Sequence, residues 1–550
     1  MDLSLHTNYT RGLWLPDAEP PRTGISAVRD AIHHVARPVY LVRSENRLAV
    51  SSTGNLITGD GGALTSTKSC PLLAYVPPLH PEQLGDPLFK QAHQLKYAYI
   101  AGAMANGITS VRMVVETARA GMIGFFGAAG LRPDEVETAV DQLIQLTDGL
   151  PFGINLIHSP NDPQLETELV NLYLRRGIRR ISASAYMDLT LPLVYYRVKG
   201  IHRDPQGNII CPNQIIAKVS RIEVAGKFFL PPPEKLLAEL VNKQMITEAE
   251  ASLSRSVPMA DDLTAEADSG GHTDSRPAVS LLPTMISLRD RLVAGYSYRR
   301  IPGVGLGGGI STPYSAAAAF AMGAAFVVTG SVNHACIEAG TSEVVRQMLA
   351  EARQADVTMA PSADMFELGA RVQVLKRGTM FPLRANRLYD LYNRYGCYED
   401  IPEKQRTQLE RDVFRCSFDQ EWNRTRAFFS ERDPRQIVRA EKDPRHKMAL
   451  IFRSYLGRSS RWAQQGDAAR KIDYQIWCGP SLGAFNEWVS GTFLEKPENR
   501  KVVSVAMNLL WGAAVATRIH WLGTQGVVLP HDVKKISPLP FSELTHFLDQ

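Results

Sequence analysis

Cysteine is scarce in this chain. The six residues, Cys70, Cys211, Cys336, Cys397, Cys416 and Cys478, are scattered through 550 positions with no CxxC spacing. That pattern argues against a zinc site or an iron–sulfur cluster and fits a reducing cytosol. Long apolar runs are also missing. The longest, from Val502 to Thr517, is interrupted by Asn508 and is short for a membrane span, so a buried helix and no membrane contact are expected. Met1-Asp2-Leu3-Ser4 opens without a basic region followed by an apolar run, so no signal peptide is expected and a cytoplasmic location is. The formal net charge of +5 is small for this length and does not suggest a nucleic-acid binder. There is no GxSxG elbow, no HExxH and no Walker lysine motif, which leaves serine-hydrolase, zincin and P-loop readings without support.

What the chain does have is glycine in clusters. Gly303-Val304-Gly305-Leu306-Gly307-Gly308-Gly309-Ile310 is followed about twenty residues later by Thr329-Gly330-Ser331. Gly303, Gly305 and Gly308 match the spacing of the dinucleotide fingerprint. That fingerprint needs an acidic residue at the end of the next strand, and Thr329-Gly330-Ser331 offers none. Arg300–Gly305 and Ala325–Val328 read as strands, with a helix over Thr312–Gly323 between them. Two successive strand ends bare of side chains make a cradle of backbone N–H groups for a phosphate. The last two strand ends of a (β/α)8 barrel are such a place.

The rest of the chain supports that architecture. Apolar residues make up 44% and charged residues 21%, enough for a large soluble core. The length fits a barrel of roughly 250 residues plus additions. Residues 1–90 form a mixed N-terminal segment. Within it, Pro38–Arg43 and Arg47–Val50 flank Ser44-Glu45-Asn46 as a hairpin, and the prolines from Pro71 to Pro87 suggest a linker. Residues 91–342 alternate strand and helix. Candidate strands are Tyr97–Gly102, Gly121–Phe126, Pro151–Ile157, Arg179–Ser184, Gln214–Val219, Asp262–Glu266, Arg300–Gly305 and Ala325–Val328, which gives an α/β fold of the TIM-barrel class. A helical insertion at 228–258, with short helices at Glu234–Asn242 and Thr247–Ser254, is expected on the strand-to-helix side, as a lid or as a surface hairpin. Residues 343–550 read as a mostly helical C-terminal domain, with clear helices at Ala385–Tyr395, Arg406–Phe429, Asp443–Tyr455 and Val502–Ile519. Between Glu421 and Lys471, thirteen Lys/Arg face six Asp/Glu, a local net charge of +7. This is either a solvated helix face or a docking surface for an acidic carrier protein or phosphorylated substrate.

Candidate site residues sit at the strand ends. After strand one, Ala103 and Met104 belong to a run of small residues against which a flat ring can lie, although small residues also permit tight packing. Asn155 on strand three points inward if Ile154 and Leu156 point outward, and it either meets a ligand or bonds a neighbouring strand. Lys218 on strand five is costly to bury without a negative partner, which is either an anionic ligand or an inward acid such as Glu266. Strand six carries Glu266-Ala267-Asp268-Ser269-Gly270-Gly271-His272. Gly270 and Gly271 permit close approach, and His272 can exchange a proton near neutral pH. Gly307, Gly308 and Gly309, the start of the helix that follows them, and Gly330 and Ser331 would hold the phosphate.

Together these residues resemble the nitronate monooxygenase and flavin enoyl-reductase superfamily, and within it the PfaD-type trans-acting enoyl reductases of polyketide and polyunsaturated fatty acid synthases. The resemblance is carried by 102–110 (GAMANGITS), 124–131 (GFFGAAGL), 155–160 (NLIHSP), 363–369 (ADMFELG), 374–379 (VLKRGT) and 473–480 (DYQIWCGP), and covers most of the chain. It implies FMN as cofactor, NADPH as electron donor, and reduction of the α,β-double bond of a chain tethered to an acyl carrier protein. It places His272 near the flavin and is compatible with a homodimer. Two other readings stay open: a nitronate monooxygenase, and a non-catalytic docking protein of a synthase complex.

Overall fold

A computed structural model describes residues 4–5, 11–17, 19–57, 69–159 and 162–549. Met1–Leu3 at the start of the chain and Pro160 of the third matching segment lie outside them. Eight parallel strands close into a barrel in which each pairs with its neighbours in sequence. They are β1 (Tyr99–Ala101), β2 (Ile123–Phe126), β3 (Gly153–Ile157), β4 (Arg180–Ser184), β5 (Gln214–Val219), β6 (Asp262–Glu266), β7 (Gly303–Gly307) and β8 (Val327–Thr329). Closure comes from β8 against β1, where Val327 pairs with Tyr99 and Thr329 with Ala101. All eight expected strands are present.

β7 begins and ends later than Arg300–Gly305, and the reason is packing. Gly303, Gly305 and Gly307 occupy alternate positions of one strand and so share its inward face. A Cβ on Gly305 would lie 2.4 Å from the Phe326 ring, and one on Gly303 would lie 2.7 Å from an Asp262 carboxylate oxygen. These glycines clear space inside the barrel, where Ile100, Phe125, Ile216 and Phe326 form a core cluster. The floor of the barrel is ionic. Asp262, fully buried at the start of β6, accepts from His93 Nε2 (2.7 Å), two Arg300 nitrogens (2.8 and 2.7 Å) and Gly303 N–H (2.9 Å).

The N-terminal hairpin forms from Val39–Ser44 and Arg47–Ser51. Glu45 and Asn46 both take positive φ (47° and 59°), as a two-residue hairpin turn of matching twist requires. The proline-rich stretch is not simply a linker. Cys70–Val76 is an interior strand of a six-stranded antiparallel sheet, between the strand Val39–Ser44 and the strand Gly12–Leu15. Pairing on both sides overrides the local proline signal there.

The insertion is a correction to the lid expectation. Helix Ile222–Phe229 starts directly after β5 and carries the chain back to the opposite end of the barrel before the insertion begins. Helices Glu234–Asn242 and Glu248–Ser254 pack there. Glu250 accepts from Gly200 N–H (2.7 Å), and Met245 O accepts from Lys199 Nζ (2.8 Å). Arg197 donates to Pro258 O (3.0 Å) and to Asn213 O (2.8 Å), the residue before β5 starts. Residues 228–258 therefore cover the N-terminal ends of the strands, away from the mouth.

Beyond residue 343, among the described residues, three strands appear that the sequence reading missed: the short Val527–Val528, which pairs with Ser4–Leu5, and a longer pair. β9 (Val357–Pro361) and β10 (Arg371–Leu375) form a hairpin that adds the two-residue strand Gly271–His272 on its β10 edge. Helices Phe381–Arg394, Phe418–Arg432 and Pro444–Gln465 follow, around a second core that includes Phe366, Leu388, Phe414 and Phe452. The expected helix Arg406–Phe429 is broken by a π-turn over Leu409–Phe414 and by Arg415 at φ 58°, and restarts at a Ser417 cap. Helix Val502–Thr524 is buried, as expected, but its neighbours are not the other C-terminal helices alone. It shares the barrel's core cluster, and Gly512 approaches Pro313 so closely that a Cβ would meet it at 2.6 Å.

Candidate active site

A cleft opens at the C-terminal ends of the barrel strands, with about 990 Å³ of empty space counting its open mouth. Ala103, Met104, Asn155, Lys218, Gly270, Gly307, Gly308, Gly309, Gly330 and Ser331 all line it. Gly271 and His272 are not among its lining residues.

The glycine end of the cleft is a true concavity. Gly308 and Gly309 hold φ of 85° and 80°, which L-residues with side chains rarely adopt. A Cβ on Gly308 would lie 2.7 Å from the Ala267 carbonyl, so that backbone approach needs glycine. Cβ atoms on Gly309 and Gly330 would meet nothing within 4 Å, which leaves open room above both strand ends. The Ser331 hydroxyl accepts from Gly479 N–H (3.0 Å) and keeps its own proton to donate. The start of the next helix does not contribute as expected. Thr312 caps Ser315 N–H, Ser315 Oγ accepts from Ser311 and Thr312 N–H, and Pro313 has no N–H, so most of that helix end is taken up within its own turn.

The opposite wall is polar. Asn155 Nδ2 donates to Ser184 Oγ (2.8 Å) and Ser182 O (3.2 Å), so the neighbouring strand anchors it while it faces the cleft. Lys218 Nζ lies 2.6 Å from Glu266 Oε1, and Ser269 Oγ donates to the same oxygen (3.2 Å). The lysine thus has the inward acid as its partner, and both ends of the pair line the cleft.

Gly270 and Gly271 serve the backbone of the chain's own C-terminal part. A Cβ on Gly270 would lie 3.0 Å from Cys478, and Gly271 pairs with Gln373 of β10. His272, next in line, is fixed by the hairpin loop: its Nε2 sits 3.0 Å from Ser362 Oγ and 3.3 Å from Asp364 Oδ1. Burial works to lower the His272 pKa. The hydrogen bond and negative charge of Asp364 outweigh it, with Glu266 assisting and Lys218 opposing, and the net shift is upward. Burial would raise the Asp364 carboxyl, but His272 and Ser362 hold it below the usual range.

Among the lining residues that escaped the sequence reading are His334, Trp477 and Ser481. Trp477 lies in a segment already singled out by resemblance, but nothing local in the sequence brings it to the cleft, where its backbone carbonyl meets His334, 143 residues earlier. Of the C-terminal part, Trp477 and Ser481 line the cleft, and the helix Pro444–Gln465 packs on the loop that follows β1. Asn106, in the loop after β1, donates to Ser460 Oγ (3.2 Å), and Gln464 donates to Asn106 O and Gly340 O.

A closed parallel barrel with its cleft at the strand C-termini is an architecture shared by many enzymes, with the chemistry set by the strand-end residues, and comparison with known proteins narrows the class. The nitronate monooxygenase family model matches residues 87–380, more than half of the chain. The chain belongs to that family, in its PfaD-type branch. The model of the inserted helical domain of [acyl-carrier-protein] S-malonyltransferase matches residues 395–474. Among curated proteins, polyketide biosynthesis protein PksE of Bacillus subtilis is 47% identical over 79% of this chain and 56% of its own length. A polyunsaturated fatty acid synthase protein of Thraustochytrium is 44% identical over 80% of this chain and 30% of its own. The chain therefore spans about half or less of these relatives. The crystal structure of the enoyl reductase domain of MlnA, from the macrolactin cluster of Bacillus amyloliquefaciens, superposes with a TM-score of 0.77 at 40% identity, covering 80% of this chain and 99% of that domain.

Proposed function

We propose that the protein is an FMN-dependent enoyl reductase acting in trans on α,β-unsaturated chains carried by an acyl carrier protein, with NADPH as donor. The observation that carries this reading is the cradle of Gly307–Gly309 and Gly330, open above two strand ends, facing the Asn155–Lys218 wall across one cleft. A phosphate fits the first and a flat polar ring the second. The likeness to the MlnA enoyl reductase domain supports the reaction type.

Bound FMN would supply hydride transfer from NADPH to the β-carbon of the chain. The protein's own part is positioning and proton handling. Backbone N–H groups of Gly307–Gly309 and Gly330, with the Ser331 hydroxyl, hold the phosphate. Ala103 and Met104 back the ring. Asn155 uses its donor on Ser182 and Ser184, which leaves its carbonyl to accept from a ring N–H. Lys218 places positive charge on the same wall, with Glu266 sharing it. His272, held beside the cleft by Ser362 and Asp364 through Nε2, has a raised pKa that favours its charged form, and we assign it the proton. Such a proton donor contributes roughly 10²- to 10⁴-fold.

The region 421–471, with its +7 charge, includes the helix Pro444–Gln465, which packs on the loop after β1 at the cleft end of the barrel. We assign the docking of an acidic carrier protein to it. The family's name favours a second reading, oxidation of a nitronate with oxygen. The purified protein should be yellow, with released FMN, and should oxidise NADPH anaerobically with a crotonyl thioester. A colourless protein, or turnover only with a nitronate and oxygen, would overturn the proposal.

A further inference from the structure

His334 is a cleft-lining residue with only 3% of its surface exposed. Its Nδ1 lies 3.2 Å from Trp477 O. A carbonyl oxygen can only accept, so Nδ1 carries the proton, and in the neutral ring Nε2 then bears a bare lone pair. Burial, only partly offset by the Trp477 carbonyl, pushes this imidazole down to about 4, so the ring is neutral at physiological pH. That Nε2 is buried and has no hydrogen-bond partner among the described residues. A buried acceptor without a donor is costly and uncommon in a native fold. It is complementary to an O–H or N–H of a bound molecule and repelled by the lone pairs of a phosphate oxygen.

We infer that His334 Nε2 is a recognition point for a hydroxyl group of the ligand, specifically the polyol chain between ring and phosphate. This rests on the flavin reading above. The position supports it: His334 ends the short helix Ser331–His334, three residues beyond the phosphate-holding Ser331. Its tautomer is set by Trp477, so the C-terminal part of the chain would tune a barrel-borne contact to the cofactor.

The two ring nitrogens can be tested separately. In His334→Asn the amide takes the place of Nδ1 and keeps the Trp477 bond while removing the Nε2 acceptor. In His334→Gln the side-chain oxygen reaches the Nε2 position and the Trp477 bond is lost. Affinities for FMN and for riboflavin, which keeps the hydroxyls but lacks the phosphate, are measured by fluorescence titration. His334→Asn should weaken both flavins about tenfold, and His334→Gln should stay within about threefold of wild type. The reverse pattern would make the role a structural one through Trp477 and overturn the inference. Weakening of FMN alone would place Nε2 at the phosphate and overturn it too. A wild type that binds neither flavin would sink the flavin reading, and this inference with it, before any variant is compared. Should His334→Asn fail to fold, ¹⁵N imidazole spectra of the wild type decide: the Nε2 resonance must shift when riboflavin is added, and an unchanged resonance refutes the contact.

Discussion

Gly308 shows how one residue can serve both fold and site. Its φ of 85° and its approach to the Ala267 carbonyl both require the absence of a side chain. Gly308→Asp adds a clash and a negative charge in the phosphate cradle. The variant should purify without flavin, and full flavin content by absorbance would refute the phosphate assignment. His272 makes a different demand. His272→Ala should retain FMN and lose roughly 10²- to 10⁴-fold in enoyl reduction; unchanged turnover would remove it from the chemistry. The type and place of such residues were legible in the sequence because glycine clusters and a histidine at strand ends are local signals. Their partners were not. Asn155 and Lys218 were left between a ligand and a neighbouring strand, and only the distances to Ser184 and Glu266 showed that neighbours hold both.

At the scale of elements, two contacts decide how the site is held. The hairpin β9–β10 meets the barrel through Gly271–His272, and Asp364 faces His272 across that junction. The His272 pKa is raised, so its share of this contact is complete below about 6.5 and fades as pH rises through the raised value. The Asp364 pKa is lowered, so its share is present above about 3.9 and fades as pH falls through the lowered value. Wild type should therefore melt above Asp364→Asn at pH 6, and the gap should narrow at pH 9; a gap constant with pH would refute the pairing. The barrel floor makes the second contact. Asp262 is fully buried, and Arg300, His93 and Gly303 N–H together offset its burial and keep it ionised. Asp262→Asn leaves Arg300 short of its counter-charge and should cost about 3–5 kcal/mol in urea unfolding. The insertion at 228–258 belongs to this scale as well. Its two helices were readable, from periodicity and the Thr247–Glu250 capping box, but its face of the barrel depended on helix Ile222–Phe229 being complete first.

At the scale of the molecule, the C-terminal part is not an appendage. Helix Val502–Thr524 shares the barrel's core, and Trp511, fully buried, donates to His33 O (3.1 Å) in the N-terminal segment. Trp511→Ala should cost about 3–5 kcal/mol and lower the unfolding transition of the barrel itself; a barrel transition at the wild-type midpoint would show the regions to be independent. Strand alternation, the glycine clusters and the missing acidic residue after β8 were enough for the sequence to determine the barrel class and the phosphate end of the cleft, because each is written in neighbouring residues. Only the tertiary structure decided that Trp477, Ser481 and His334 reach the cleft, and that β7 runs on to Gly307 around Phe326. Those outcomes rest on contacts between residues far apart in the chain, where space-filling and hydrogen-bond pairing outweigh any local preference.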